Sequence, residues 1–570
     1  MNRYEAPVNE ILYVLNNFLD SKRVFNKFND IDKDSLNSII LECGKLSDRT
    51  LFPINKIGDR FHPKLKNGNV ICHESFVNAY KKISGDGWIG LGASKINGGL
   101  GFPLLIITAI NEMMSSGCLS LALNFLLTRG QIETLEEHSN DEIKNSFLPN
   151  LISGKWCGTM NLTEPQAGTD VGNIKTQASL IKKNIYSIKG QKIYISWGDH
   201  NLTENICHLV LARCKDSPNG VKGISLFIVP KYFLKKNKVK ISNGISTISL
   251  ENKMGLHASP TAVLEFNNSK GWLIGKVNDG LSAMFTMMNN ARLGVAIQGL
   301  SQSQIAYNYA YCFAKNREQG YCKIKKIKKH IIEYPDVRRN LLIMKAFTIS
   351  MRYLCYQTAL YLDEGKFFDN KLNLKKGQFL IPVAKAFCTD ISCRVTDIGI
   401  QIHGGMGYVV ETGVEQFYRD VRVTSIYEGT NGIQAIDLVG RKMKDGGKVA
   451  FEFLKEISSI EDESSKIDDQ FKSISTLLRK ARKEFESTLK KILKKENYND
   501  VLAGASPFLK SFGFLICGSY LLKSALTSKK SEKFNIAKFY IEQLLPEMYS
   551  NLKSADSSFE SLLKCDLEEI

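Results

Sequence analysis

A mainly helical α+β chain is predicted: an N-terminal helical domain, a middle antiparallel β domain, a C-terminal helical bundle and a helical extension. Three observations predict it. Apolar residues recur at three- and four-residue spacing up to about residue 150 and again from about residue 280. Between Trp156 and about Gly275 the pattern changes to short alternating runs bounded by Gly, Asn, Asp and Pro. After Met443 the composition shifts once more. The boundaries that follow are 1–155, 156–278, 279–445 and 446–570.

In the first domain, Val8-Ile11-Leu12-Val14-Leu15-Phe18-Leu19, Ile106-Ile107-Ile110-Met113-Met114 and Leu119-Leu121-Leu123-Phe125-Leu126 read as helices, with the glycine-punctuated GWIGLGASKINGGLGFP (87–103) as a loop before the second. In the second, IYSIKG, QKIYISWG, ICHLVLARC, GISLFIVPKYF and TAVLEFNN read as strands. They lack long helical connectors and no G-x-G-x-x-G follows a strand, so an antiparallel barrel or sandwich is expected rather than a doubly wound nucleotide fold. In the third, Arg292 to Arg317 has helical spacing with small residues between, which suits close helix packing. In the extension, DGGKVAFEFL and SSIEDESSKIDD read as linker and loop, followed by a basic amphipathic helix through Leu478, Ala481, Phe485, Leu489, Ile492 and Leu493.

Composition sets outer bounds. At 570 residues the chain exceeds one ordinary core. The start mixes charges into its apolar positions, unlike a signal peptide, and no run reaches about 18 apolar residues, GFLICGSYLL being too short to span a bilayer. A cytoplasmic protein is expected. The 13 cysteines are scattered without C-x-x-C pairs, so no metal site is expected and the thiols read as buried, reduced hydrophobes. The net charge of +18 could point to nucleic acid, an acidic membrane surface or a polyanionic substrate, but lysine is abundant throughout, which favours compositional drift with a modest contribution from the substrate.

Five stretches can carry chemistry. In VTSIYEGTNGIQAID (423–437), Glu428 stands between a tyrosine and a glycine, suited to a base in a dry pocket beside closely approached backbone. The same stretch also reads as a helix start capped by Thr430 or Asn431, and both readings can hold. MNLTEPQAGTD (160–170) could line a flat polar ring or form a Pro-Gly turn, and KIYISWGD (192–199) places an aromatic and a hydroxyl on one strand. Arg292 and Arg317 suit a pyrophosphate or a surface ion pair. QIHGGMG (401–407) lets main-chain amides approach a phosphate or ribose.

Taken in register, I-Y-E-G-T-x-x-I-Q closely resembles the catalytic segment of the acyl-CoA dehydrogenases, and the other stretches resemble that family's segments in the same order over residues 80–445. The resemblance implies that Glu428 removes the α-proton of an acyl thioester while FAD takes the β-hydride. Ala291 stands where some members carry the base, so Glu428 has no rival. It further implies that Met160, Leu162, Thr163, Thr169, Tyr194, Ile195, Ser196 and Thr430 contact the flavin. Arg317, Gln401, Gly404 and Gly405 would reach FAD across an interface, making the chain a homodimer or homotetramer. Thr169, Asn289, Arg292, Tyr427 and Gly429 would face the acyl-CoA. Two departures stand out: Ser94 replaces a usual proline and Trp197 a usual asparagine. An electron-transferring flavoprotein is the implied acceptor. KKHIIEYPDVRRNLLIMKA, the HLVLAR strand and the extension are most similar to the branch acting on 3-(methylthio)propanoyl-CoA in dimethylsulfoniopropionate breakdown, with short- or medium-chain acyl-CoA as the alternative. A DNA-binding flavoprotein on the same fold is the alternative of another class, supported by the basic runs Lys323–His330 and Leu478–Lys495 and opposed by the acidic residues within the second and the absence of interleaved aromatics.

Overall fold

Contacts in the computed structural model, which describes residues 4–28, 32–234, 240–322, 327–528 and 531–565, group the chain into two compact units. One comprises Lys45–Ile107 and Met113–Gly294; the other comprises Met1–Gly44, Thr108–Glu112 and Val295–Ile570.

In the first unit, the two apolar runs become helices α1 (Leu104–Gly117) and α2 (Leu119–His138). Helix α2 is buried on nearly every side, so its sequence lacks a polar stripe. A short hairpin, Lys64–Lys66 with Asn69–Ile71, interrupts the expected helical region. The strands of the main sheet are β1 (Trp156–Asn161), β2 (Gln177–Lys182), β3 (Ile185–Ser196), β4 (Asn205–Cys214), β5 (Ile224–Pro230), β6 (Ile245–Leu250) and β7 (Thr261–Ile274). Pairing runs β7-β3-β2-β4-β5 and returns to β7, closing a five-stranded barrel with β6 and β1 attached at its flanks. The sheet is mainly antiparallel, as expected, but β1 with β4 and β2 with β4 are parallel. Strand alternation says which face is buried, not which distant strand is the partner, so these two pairings were not legible. Ile188, Ile195, Val210, Phe227, Leu264 and Phe266 fill the interior.

In the second unit, α3 (Gly280–Asn316), which starts in the first, is followed by α4 (Pro335–Phe368) and α5 (Lys371–His403). Between α3 and α4 lies an unexpected hairpin, Glu318–Cys322 with Ile327–His330; residues 323–326 of the predicted basic run lie outside the described residues. A buried cluster ties α1 to α4: Arg352 Nε and Nη2 donate to Glu112 Oε1 at 2.9 and 2.7 Å, and Tyr356 Oη donates to Glu112 Oε2 at 2.8 Å. Removing one partner of such a pair costs about 3–5 kcal/mol.

The extension departs from its sequence reading. KVAFEFLKEISSIEDES is not linker and loop but helix α7 (Lys448–Ser464), after the short α6 (Asn431–Asp437). Its Val449, Ala450, Phe453, Leu454, Ile457, Glu461 and Ser464 are buried at helical spacing, and the acidic Glu461 is satisfied by Arg482 Nε at 2.9 Å. Only residues 465–468 separate it from α8 (Asp469–Lys494). Half of the eight basic residues in the run on and just after α8 pair with acidic groups of the fold, Arg479 with Asp462, Arg482 with Glu461, Lys490 with Glu486 and Lys491 with Asp556. The GFLICGSYLL run belongs to α9 (Ala505–Ser528), 24 residues, long and apolar enough in length and composition to cross a membrane, contrary to expectation. It is nonetheless 83% buried over its apolar window, packed on α4, α5 and α10 (Glu547–Ala555). Gly513 allows α9 to lie against Phe387, whose ring would sit 2.2 Å from a Cβ there. Among the described side chains no cysteine forms a disulfide, and most are buried.

Candidate active site

The Glu428 loop lies between a 3-10 turn at Arg422–Ser425 and α6. Thr430 caps α6, its Oγ1 accepting from the Ile433 amide at 3.4 Å. The capping reading therefore holds for Thr430. Asn431 instead turns its side chain to α5, where Nδ2 donates to Asp390 Oδ1 at 2.6 Å and to Thr389 Oγ1 at 2.9 Å.

Glu428 and Gly429 both adopt left-handed backbone, with φ of 58° and 84°. Glycine does so freely, but a residue with a side chain pays about 1–2 kcal/mol. Three hydrogen bonds hold the strain. Gln434 Nε2 donates to the Glu428 carbonyl at 3.1 Å and to the Gly429 carbonyl at 3.3 Å, and Lys385 Nζ from α5 donates to the Gly429 carbonyl at 2.9 Å. At about 0.5–1.5 kcal/mol each, and about 1.5–3 for the charged donor, they more than offset the cost. The dihedral favours glycine at 429, and a Cβ there would lie 2.9 Å from Gln434 Nε2 and press on the amide that holds the loop. Tyr427 Oη donates to Gln298 Oε1 on α3. Burial first, and the neighbouring Glu428 charge second, push that phenol well above its ordinary value, so it stays a neutral donor. Glu428 itself is half-buried, less dry than the sequence reading supposes.

In the same unit α5 ends at His403, whose ring stacks on Phe313 with centroids 4.4 Å apart while Nδ1 donates to the Gly399 carbonyl at 2.7 Å. Gln401, Gly404 and Gly405 are exposed beyond it, Gly404 at φ 59°. Arg317 is exposed where α3 passes into the hairpin, at an open cleft of about 620 Å³ lined by Asn316–Tyr321.

The first unit gathers a second set. Met160, Leu162 and Thr163 are half-buried where β1 runs into the T-E-P loop, and Thr169 is exposed. The loop is organised by Glu164. Its carboxylate accepts from Lys192 Nζ at 2.8 Å, from the Lys175 and Thr176 amides at 2.6 and 3.0 Å, and from Thr176 Oγ1 at 2.6 Å. Burial alone would raise the pKa of this carboxyl, but the Lys192 charge and these donors outweigh it and hold it at about 2. Lys192 Nζ also donates to the Leu162 carbonyl at 3.0 Å, and the Ile193 amide to the Thr163 carbonyl at 3.0 Å. The T-E-P loop is thereby laid beside β3. There Tyr194 takes φ 59°, which shifts the strand's alternation: Lys192 and Ile195 point inward, while Tyr194 is 61% exposed and Ser196 half-buried. Ile195 has its side chain in the barrel core, so only its backbone can meet a ligand. Trp197 is fully buried and its Nε1 donates to the Ser120 carbonyl at 3.0 Å, which makes it a packing residue. Asn289 is half-buried and Arg292 buried on α3.

The predicted residues thus form two groups, one in each unit. Met160, Leu162, Thr163 and Ser196, all partly accessible, offer the apolar and hydroxyl groups that a flat heteroaromatic ring takes, and in the other unit the exposed Arg317 and the exposed Gly404–Gly405 backbone offer donors of the kind a diphosphate takes; each set suits FAD. Sequence reasoning missed Lys385, Gln434 and Gln298 around Glu428, and Glu164 and Lys192 under the T-E-P loop. A lysine in an apolar helical run, as in IPVAKAF, is the one signal that could have found Lys385.

Family models match along most of the chain: acyl-CoA dehydrogenase N-terminal domain over residues 69–155, middle domain over 159–269 and C-terminal domain over 278–443, then acetyl-CoA dehydrogenase C-terminal like over 453–566. The chain is 37% identical to 3-methylmercaptopropionyl-CoA dehydrogenase of Ruegeria pomeroyi, covering 99% of this chain and 100% of that one. It is 32% identical to a butyryl-CoA dehydrogenase of Syntrophomonas wolfei, covering 92% of each. The crystal structure of an acyl-CoA dehydrogenase complexed with FAD from Bacillus anthracis superposes with a TM-score of 0.75 at 20% identity, over 98% of this chain and 94% of that one, and shares the fold.

Proposed function

The chain belongs to the acyl-CoA dehydrogenase family, and we propose that Glu428 is its base and that its acyl group is 3-(methylthio)propanoyl. It is an FAD-dependent oxidoreductase that converts an acyl-CoA thioester to the trans-2-enoyl-CoA. The observation that carries the choice of substrate is the end-to-end likeness to the Ruegeria enzyme, extension included.

An α-proton of a thioester is far too weak an acid for a solvated carboxylate of pKa about 4.3. Two local features answer this. The left-handed backbone at Glu428 would fix where its carboxylate points, and the Glu428 amide would donate to the thioester oxygen as enolate charge develops there. Tyr427, neutral and anchored by Gln298, flanks the base without competing for the proton. Bound FAD supplies the two-electron acceptor for the β-hydride. Met160, Leu162, Thr163 and Ser196 would hold its ring, and Arg317 and the Gly404–Gly405 backbone would reach across a subunit interface to the diphosphate of the FAD bound to the partner subunit. An electron-transferring flavoprotein is the proposed acceptor from the reduced enzyme, and a homodimer the smallest proposed assembly.

The test is Glu428→Gln, which keeps side-chain volume but cannot take up the proton. Acyl-CoA should still bind, while anaerobic bleaching of the flavin slows by at least about a hundredfold. Bleaching at the wild-type rate would move the base elsewhere.

A further inference from the structure

We propose that Lys385 is a positioning residue for the base: through the Gly429 carbonyl it sets the direction in which Glu428 presents its carboxylate. The inference rests on Glu428 being the base.

Lys385 is 0% exposed, in the apolar middle of α5 among Ile381, Ala384, Ala386 and Phe387. An apolar side chain of similar length would fill that space without the cost of burying an ammonium, so the charge there calls for a use. The geometry supplies one. Nζ donates at 2.9 Å to the Gly429 carbonyl and at 2.9 Å to Asn431 Oδ1, on either side of the capping Thr430. Asn431 in turn donates to Asp390 Oδ1, Thr389 Oγ1 and the Ala386 carbonyl at 3.2 Å. A single stretch of α5, residues 385–390, therefore grips both ends of the Gly429–Asn431 segment.

The opposite side is held by α6. Gln434, also fully buried, donates to the carbonyls of Glu428 and Gly429. The Gly429 oxygen thus has both lone pairs occupied, one by each helix. Rotation about the bonds joining residues 428 and 429 is what would relax the left-handed pair, and it would swing the Cα–Cβ bond of Glu428 away from its present direction. Both donors oppose that rotation. Neither needs to touch substrate or flavin to control the proton transfer.

Lys385→Met removes the ammonium and keeps much of the stem. In the full-length, FAD-loaded protein, mixed anaerobically with butyryl-CoA, flavin content and apparent substrate Kd should stay within about threefold of wild type. The bleaching rate per bound flavin should fall about ten- to a hundredfold, the range set by a displacement of up to about 1 Å at a reacting group. Gln434→Leu should show the same split, several-fold smaller, and decides the matter if Lys385→Met does not fold. Exchange of the substrate α-proton with solvent deuterium should slow in parallel. Wild-type rates per bound flavin would overturn the proposal, as would a loss of activity that tracks flavin loss alone. Glu428→Gln, run alongside, separates the two levels: an active Glu428→Gln fails the base, whereas an inactive Glu428→Gln with an undiminished Lys385→Met fails only the Lys385 inference.

Discussion

Replacing Glu164 with glutamine probes the loop expected to bear on the flavin, because that one buried carboxylate organises it. Its folded pKa of about 2 lies below the ordinary 4.5, so the folded state favours the ionised form. The stabilisation is fully present above about pH 4.5 and is lost as pH falls towards 2. At 1.36 kcal/mol per pH unit the gap between the two values is worth about 3 kcal/mol. Glutamine keeps the shape but leaves Lys192 buried beside a neutral amide, and two main-chain donors, from Lys175 and Thr176, facing a weaker acceptor. We expect Glu164→Gln to be destabilised by about 3 kcal/mol at pH 7, with the deficit shrinking as pH is lowered from 4.5 to 3. The measurement is the urea midpoint of the FAD-loaded protein, followed by flavin fluorescence at pH 7, 4.5 and 3. Flavin release reports this loop directly, whereas global unfolding of so long a chain is not two-state. A deficit that stays constant across that range, or a variant as stable as wild type at pH 7, would refute the reasoning.

Arg317→Ala should bind FAD about ten- to a hundredfold more weakly, the worth of one charge-assisted bond, measured by flavin retention on dialysis; unchanged retention would remove Arg317 from the cofactor site. A thioether is about as long and apolar as a short alkyl chain, so activity is expected on 3-(methylthio)propanoyl-CoA and on four- to six-carbon acyl-CoAs alike. Chains differing by one methylene should be separated by only about 1–3 kcal/mol, with a decline beyond about ten carbons. A kcat/KM highest for palmitoyl-CoA in a dye-coupled assay would discard the substrate while leaving the reaction class standing.

By itself the sequence determined the order helices, strands, helices, because periods of 3.6 and 2 are local properties that survive without knowledge of partners. The reaction class and flavin were legible for a related reason: they are carried by contiguous stretches such as TEPQAGTD and IYEGT, whose spacing needs no third dimension. Tertiary structure decided the rest. Helix α7 looked like linker because SSIEDESS is polar, and it takes the bidentate Arg482, with Arg479, on the next helix to make Glu461 a core residue. The apolar run of α9 looked too short to span a bilayer at ten residues, yet it lies within a 24-residue helix that its neighbours bury. Closure of the barrel through β5 and β7, and the parallel pairings of β4, depend on strands far apart in the chain. So do the groups beneath the candidate site. Lys385 acts across 44 positions on Gly429, and Lys192 across 28 on Glu164, and a hydrogen bond between residues that distant leaves no mark in the pattern of either segment.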